Sequence, residues 1–256
     1  MPTGIDHLVI AVPDPDAAAD ELERELGIAF PSGGRHPGAG TFNRIAFLGM
    51  PYLELIGIAD PDAARRSPIG AAALRALEAS PAGGFATFAL LDDDLDATVA
   101  RLRADASRIR EPVHGSRVTA DGETVEWWTA THERLGPEEP PFLIRHARTG
   151  FEWSAEAIRR RWSQVQPAGC VVVLAMLELS VRDPNAVAQR YRSELGLRPA
   201  PINGHRLETV GPHTIMLKPR SDEEPLATVA LGCQGQTART VDRFGIRFEM
   251  VAAATS

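Results

Sequence analysis

A histidine stands in one otherwise apolar run, GIDHLVIA, and a glutamate stands in another, PYLELIGI. Strand periodicity puts His7, Val9 and Ala11 on one face and Leu8, Ile10 and Val12 on the other. By the same count Tyr52, Glu54 and Ile56 share a face, with Leu53 and Leu55 opposite. An ionised carboxylate facing inward is costly unless it is paired or bound to metal. A neutral imidazole beside a carboxylate suits Mn, Fe, Ni, Co or Zn. For His7 alone a satisfied core imidazole is the commoner outcome, and a metal-free His7–Glu54 hydrogen bond competes for the pair. Two protein ligands are few, since open catalytic zinc sites usually have three.

Other residues with chemical reach lie in two stretches. PSGGRHPGAGTFN offers His36, Thr41 and Asn43 as donors and acceptors, with glycines that let a backbone approach a ligand closely. It reads equally as an ordinary turn. GSRVTADGETVEWW supplies Ser116 and Arg117, the latter able to clamp a carboxylate or phosphate. Its adjacent Trp127 and Trp128 must face opposite sides of one strand, so one of them turns toward the site; Trp128 is taken as the substrate-side ring. The acidic run LLDDDLDAT matches PDPDAA in position and reads as a turn and helix cap rather than a calcium site. No Ser nucleophile elbow, catalytic Cys pair or zincin helix is present.

The elements that must position these residues repeat. Residues 5 to 12 read as a strand, PDPD punctuates, and AAADELEREL reads as a helix ending at Gly27. Two further strand-like runs follow, RIAFLG and YLELIGI. FATFALLDDDLDATVARLRA starts the same order again, with a hairpin turn at Asp121-Gly122 and a last strand in PPFLIRHA. A third copy, LELSVRDPNAVAQRYRSELGL, aligns with the first without a gap. A fourth, shortened copy is read in LATVALGCQGQTARTVDRFGIRFEMV as strand, short helix and strand. Residues near 59 to 83 and 148 to 169 read as linkers, the second with a helix from Ala155 to Gln164.

Composition narrows the function classes. The 256 residues permit real cores, and the formal net charge of -7, without a Lys/Arg stripe interleaved with aromatics, argues against nucleic acid. The densest basic stretch, AIRRRW at 157 to 162, reads as a solvated helix face. Cys170 and Cys233 lack CxxC spacing, so neither a thiolate zinc site nor a disulfide framework is indicated. The start MPTGIDHL shows no secretory leader, and the longest apolar run, CVVVLAML, is too short to span a bilayer. The expectation is a soluble cytoplasmic protein.

A tandem βαβββ unit with His on its first strand and Glu on its last resembles the vicinal oxygen chelate superfamily, which holds glyoxalase I, extradiol dioxygenases and fosfomycin-resistance proteins. DHLVIAVPD, GGRHPGAGTFN and YLELI resemble, more narrowly, the glyoxalase-like domain. The resemblance implies an α+β fold of tandem βαβββ modules forming cup-shaped mixed sheets, with a degenerate C-terminal repeat. It implies a domain over 1–150 carrying the site and a second over 168–256 without metal ligands. It makes His7 and Glu54 the ligands of module one. Module two departs from the pattern: alignment puts Thr87 at the histidine position and, matching Pro51 with Pro141, Ile144 at the glutamate position. His146, two residues on, is a candidate third ligand. The third copy has Met176 and Met216 at the two positions, so no metal is expected there.

The resemblance implies a divalent-metal enzyme of isomerase, lyase or oxygenase type. Its substrate is a small oxygenated molecule held to the metal through adjacent oxygens. Glu54 would move the proton, with His36 or His146 as alternatives, and Asn43, Tyr52, Thr87, Arg117 and Trp128 would contact the substrate. The competing expectation is a metal-free protein that sequesters a small molecule, as bleomycin-resistance proteins do. No nucleic acid or membrane partner is expected, and a homodimer is left open.

Overall fold

Two mixed sheets organise the chain in the computed structural model, which describes residues 1–118, 124–149, 153–165, 172–203, 205–221, 223–233 and 237–252. The first half runs β1 (Gly4–Ala11), α1 (Pro15–Leu26), β2 (Ser32–His36), β3 (Thr41–Phe47), β4 (Tyr52–Ile58), α2 (Pro61–Arg66) and α3 (Pro68–Ala79). It continues through β5 (Gly84–Leu91), α4 (Leu95–Ala104), β6 (Val113–Val118), β7 (Thr124–Ala130) and β8 (Phe142–His146). After α5 (Ala155–Val165), the second half runs β9 (Val173–Val181), α6 (Pro184–Leu195), β10 (Ala200–Ile202), β11 (His205–Val210), β12 (His213–Pro219), β13 (Ala227–Cys233), β14 (Arg239–Arg243) and β15 (Ile246–Ala252).

The first sheet has the order β2-β3-β4-β1-β5-β8-β7-β6, and the second β10-β11-β12-β9-β13-β15-β14. Each is two modules joined through their antiparallel first strands, β1 against β5 and β9 against β13. This is the tandem βαβββ architecture the repeats predict. The Gly/Pro-rich stretch after α1 supplies one more strand than the sequence reading gave: Ser32–His36 pairs with Thr41–Ile45. The fourth copy differs from expectation. Among the described residues it is three strands, β13 to β15, with no helix.

Local chemistry explains why the repeats fold alike. Asp14 caps α1 by accepting from the backbone N–H of Asp16 and Ala17, with Pro15 at the first turn and Gly27 ending the helix at φ 69°. Asp183, Pro184 and Gly196 do the same for α6, Gly196 at φ 71°. The registers agree too. Thr214 lies opposite Met176 as Tyr52 lies opposite His7, and Met216 opposite Glu178 as Glu54 lies opposite Val9. The gapless alignment of the third copy therefore holds at residue level.

Strand alternation divides the apolar residues between two cores. Leu8, Ile10 and Val12 join a large core shared by both sheets, α1, α4 and α6. Val9 and Ala11 face the other way, into a smaller core with Ala86, Ala89, Phe142 and Ile144 on the concave face of the first sheet. What covers that face was read as a linker. Residues 61–66 and 68–79 are the helices α2 and α3, and Ala72 and Ala73 of α3 pack into the smaller core. Alanines on both sides let helix and sheet approach closely. The second predicted linker carries α5, within one residue of the predicted helix.

The asparagine-free hairpin turn expected at Asp121-Gly122 lies outside the described residues, as does Cys170. Cys233, buried in β13, is disulfide-bonded, which the spacing of the two cysteines did not indicate. No helix among the described residues is long and apolar enough to cross a membrane.

Candidate functional site

The site begins with an irregularity in β1. Ile5 pairs with Leu90 and His7 with Ala89, so Asp6 is an extra residue between two registered pairs. Adjacent side chains of a regular strand point to opposite faces, and a bulge removes that constraint. Here it brings the Asp6 carboxylate to its own neighbour: Oδ1 lies 2.6 Å from His7 Nδ1. The other oxygen, Oδ2, lies 2.9 Å from Nε2 of His146 on β8. Asp6 is only 6% exposed. Burial acts to raise its pKa, but His146 and then His7 outweigh it and hold the carboxyl well below the usual carboxylate range. An ionised Asp6 therefore sits between two imidazoles.

His7 is in turn fixed on every side. Its ring stacks on Tyr52 with centroids 4.5 Å apart and meets the edge of Phe142 at 5.4 Å. With Nδ1 engaged by Asp6, Nε2 turns to Glu54, whose Oε2 is 3.6 Å away. That is beyond a hydrogen bond. Glu54 is buried as well, and its Oε1 accepts from Asn43 Nδ2 at 2.5 Å. Asn43 Oδ1 is buried without a hydrogen-bond partner.

These groups open onto a cavity of about 560 Å³, within the range of small-molecule sites. Its walls are the concave face, with Ile45, Ile56, Phe142 and Ile144, and the start of α3 at Ser67, Pro68 and Ile69. Trp153 and Arg161, from the segment leading into α5 and from α5 itself, close another side. Arg161 also lies over the ring of Phe47 at 4.7 Å. A second, much smaller cavity of about 40 Å³ lies against Asp6, His146 and Trp153.

The structure gathers most of the sequence-predicted residues on this cavity. His7, His36, Asn43, Tyr52, Glu54, Arg117 and His146 all line it. His36 Nδ1 is 3.1 Å from Thr41 Oγ1, and burial pushes its pKa down, Glu54 opposing that and Arg117 adding to it. Two expectations need correction. Trp128 does not face the cavity: it carries Arg145 over its ring at 4.2 Å and packs against the larger core, while Trp127, opposite His146 in register, is the cavity-lining ring. Thr87 is fully buried opposite Val9, outside the cavity wall, with its hydroxyl unpartnered.

Module two is also shifted by two residues from the predicted alignment. Phe142 lies opposite Ala89 as Glu54 lies opposite Val9, so Phe142, not Ile144, occupies the position matching Glu54. His146 gives its Nε2 to Asp6, and its Nδ1 is buried without a partner. Among the described residues no group of three or more His, Cys, Asp and Glu side chains is arranged to hold a metal ion. Asp6 is the residue sequence reasoning missed. An acid beside His7 in a buried strand was the available signal, but the bulge that makes it useful leaves no mark in the apolar alternation.

The glyoxalase-like domain profile matches residues 5–196. The chain belongs to that family. No curated protein matches the sequence. Among solved structures, a hypothetical protein from Staphylococcus aureus is 14% identical and covers 98% of this chain and 99% of its own, at a TM-score of 0.78. A triple mutant of 4-hydroxymandelate synthase from Streptomyces coelicolor is 14% identical, covering 91% of this chain and 71% of its own, at a TM-score of 0.53. Methylmalonyl-CoA epimerase from the same organism is 20% identical over 57% of this chain and 96% of its own, at a TM-score of 0.41. The resemblance to the glyoxalase-like domain is thereby borne out, and the likeness to the Staphylococcus aureus protein bears out the fold.

Proposed function

We propose that the protein is a divalent-metal-dependent enzyme of isomerase, lyase or oxygenase type, acting on a small oxygenated organic molecule in the 560 Å³ cavity. One observation carries this reading: His7 Nε2 and Glu54 Oε2 face each other at 3.6 Å. With His7 Nδ1 bonded to Asp6, a singly protonated ring would turn its Nε2 lone pair toward Glu54, and two acceptors converging in this way would share a cation. Two donors each about 2.1 Å from a shared tetrahedral ion stand roughly 3.4 Å apart, close to the spacing seen. The protein supplies two donors, and water or substrate oxygens would complete the set.

A bound divalent ion would supply Lewis-acid stabilisation of negative charge developing on a substrate oxygen. The chain's own groups do the rest. Asn43 holds Glu54 in place through Oε1, leaving Oε2 for the ion. His36, whose lowered pKa keeps its ring neutral near neutral pH, accepts a proton from substrate through Nε2 while Thr41 steadies Nδ1. Glu54 is the alternative proton carrier. Arg117 at the rim suits an anionic substrate group, and Trp127 offers a ring face. In the second half, Met176 and Met216 stand at the matching positions, and we propose a supporting role for it without metal.

A second reading, a metal-free cup that sequesters a small molecule, is favoured by the lack of a three-donor group among the described residues and by the apolar walls. His7→Ala separates the two readings. Under the first, metal uptake and turnover are both lost; under the second, small-molecule binding persists close to wild type and metal is irrelevant.

A further inference from the structure

Asp6 is buried, acidic and part of no helix cap or surface ion pair. An isolated buried carboxylate is expensive, and nothing about strand packing calls for one here. The bulge that admits it costs β1 one registered pair with β5. Bulges next to functional sites re-aim side chains, and this one aims both oxygens at imidazoles, His7 at 2.6 Å and His146 at 2.9 Å. Tyr52 and Phe142 fix the plane of the His7 ring, but neither determines which of its nitrogens carries the proton. Asp6 does. A carboxylate at Nδ1 favours an N–H there, so in a singly protonated ring the lone pair falls on Nε2, facing Glu54.

We infer that Asp6 is a positioning residue: through the bulge between Ile5 and His7 it locks the His7 tautomer and ring orientation, and it anchors His146 as its second partner instead of as a metal ligand. The assignment explains why His146 lines the same cavity yet joins no three-donor group with His7 and Glu54. It also fits the small cavity of about 40 Å³ beside Asp6 and His146, which has room for water at the buried, unpartnered Nδ1 of His146. Carboxylates that hold the far nitrogen of a metal-binding histidine change metal affinity without touching the metal.

The test uses the full chain labelled with ¹⁵N-histidine, and it rests on the metal reading only in one arm. NMR of the neutral His7 ring in the wild type should show the Nδ1–H tautomer, and Asp6→Asn should keep it, because the amide oxygen still accepts. Asp6→Ala should release it to the Nε2–H form. In the second arm, titration with Zn²⁺ alone should show weakening by about 10–100-fold in Asp6→Ala and less in Asp6→Asn. His146→Ala should retain the His7 tautomer. A wild-type ring protonated on Nε2, or an Asp6→Ala protein with unchanged tautomer and affinity, would overturn the inference. The wild-type spectrum decides it even where Asp6→Ala fails to fold. Failure of the wild type to take up Zn²⁺ would defeat the metal reading while leaving the tautomer comparison decisive for Asp6.

Discussion

His7 and Glu54 meet across two parallel strands that do not set them directly opposite one another: Glu54 pairs with Val9 and His7 with Tyr52. The diagonal leaves 3.6 Å between Nε2 and Oε2, too far for a hydrogen bond and suited to a shared ion. Both are held from behind, His7 by Asp6 and Glu54 by Asn43. The pair is pre-organised by these two groups, of which Asn43 also lines the cavity.

Asn43 therefore matters for affinity more than for the fold. Asn43→Leu removes the donor to Glu54 Oε1 and frees the carboxylate to rotate. We expect metal affinity to fall about 10-fold or more with the thermal midpoint close to wild type, as read by isothermal titration beside a melting curve.

The adjacent tryptophans should differ in their effect on binding. Trp127→Ala removes a cavity wall that also packs against the smaller core, and should weaken small-molecule binding as well as lower stability. Trp128→Ala removes the ring under Arg145 and its contact with the larger core. It should cost roughly 0.5–3 kcal/mol in denaturant unfolding and leave ligand binding intact.

Gly40 sits at φ 63° between the His36 turn and β3, and an added Cβ would lie 2.3 Å from the Asp60 carbonyl oxygen and 2.6 Å from Ala64 N. Gly40→Ala is strained both in backbone and in space. We expect a loss of about 1–3 kcal/mol, with weaker ligand binding because the His36–Thr41 contact moves with the turn. A melting curve matching wild type would contradict this.

Acid should loosen the boundary between the halves. Glu194 on α6 accepts from Ser107 Oγ and the Arg108 N–H, and lies 3.3 Å from His132 Nε2. Burial lowers the pKa of His132 despite Glu194, and burial of Glu194, which acts to raise its own pKa, is outweighed by Arg108, Ser107 and His132. Both folded-state values lie below the unfolded ones, so both contributions are full above the unfolded values and are lost as pH falls. Stability should decline first through the histidine range and then through the carboxylate range. Glu194→Gln should flatten the second decline in melts recorded against pH.

How much of this was legible in the sequence follows from what each signal depends on. Caps and periodicity are local, so α1, α6 and the third repeat emerged from PDPD, RDPN and two glycines, and the strand registers match the gapless alignment. Module two was misplaced by two residues because Pro51 and Pro141 looked equivalent, whereas proline before a strand fixes no register. Helix α3 was hidden because its fully buried positions are the small residues Gly70, Ala72 and Ala73, in an Ala-, Pro- and Gly-rich stretch that reads as a linker. Asp6 stood in plain view beside His7, but the bulge that turns it to the imidazoles is a tertiary choice. His7 and Glu54 emerged only as a pair, since each alone reads as a core residue.

The most direct test of the central claim is the metal content of protein purified without added metal or chelator, by inductively coupled plasma mass spectrometry, with Glu54→Ala prepared alongside. The account predicts near-stoichiometric Mn, Fe, Ni, Co or Zn in the wild type and its loss in the variant. No metal in the wild type even after anaerobic reconstitution, or equal metal in both, would contradict it.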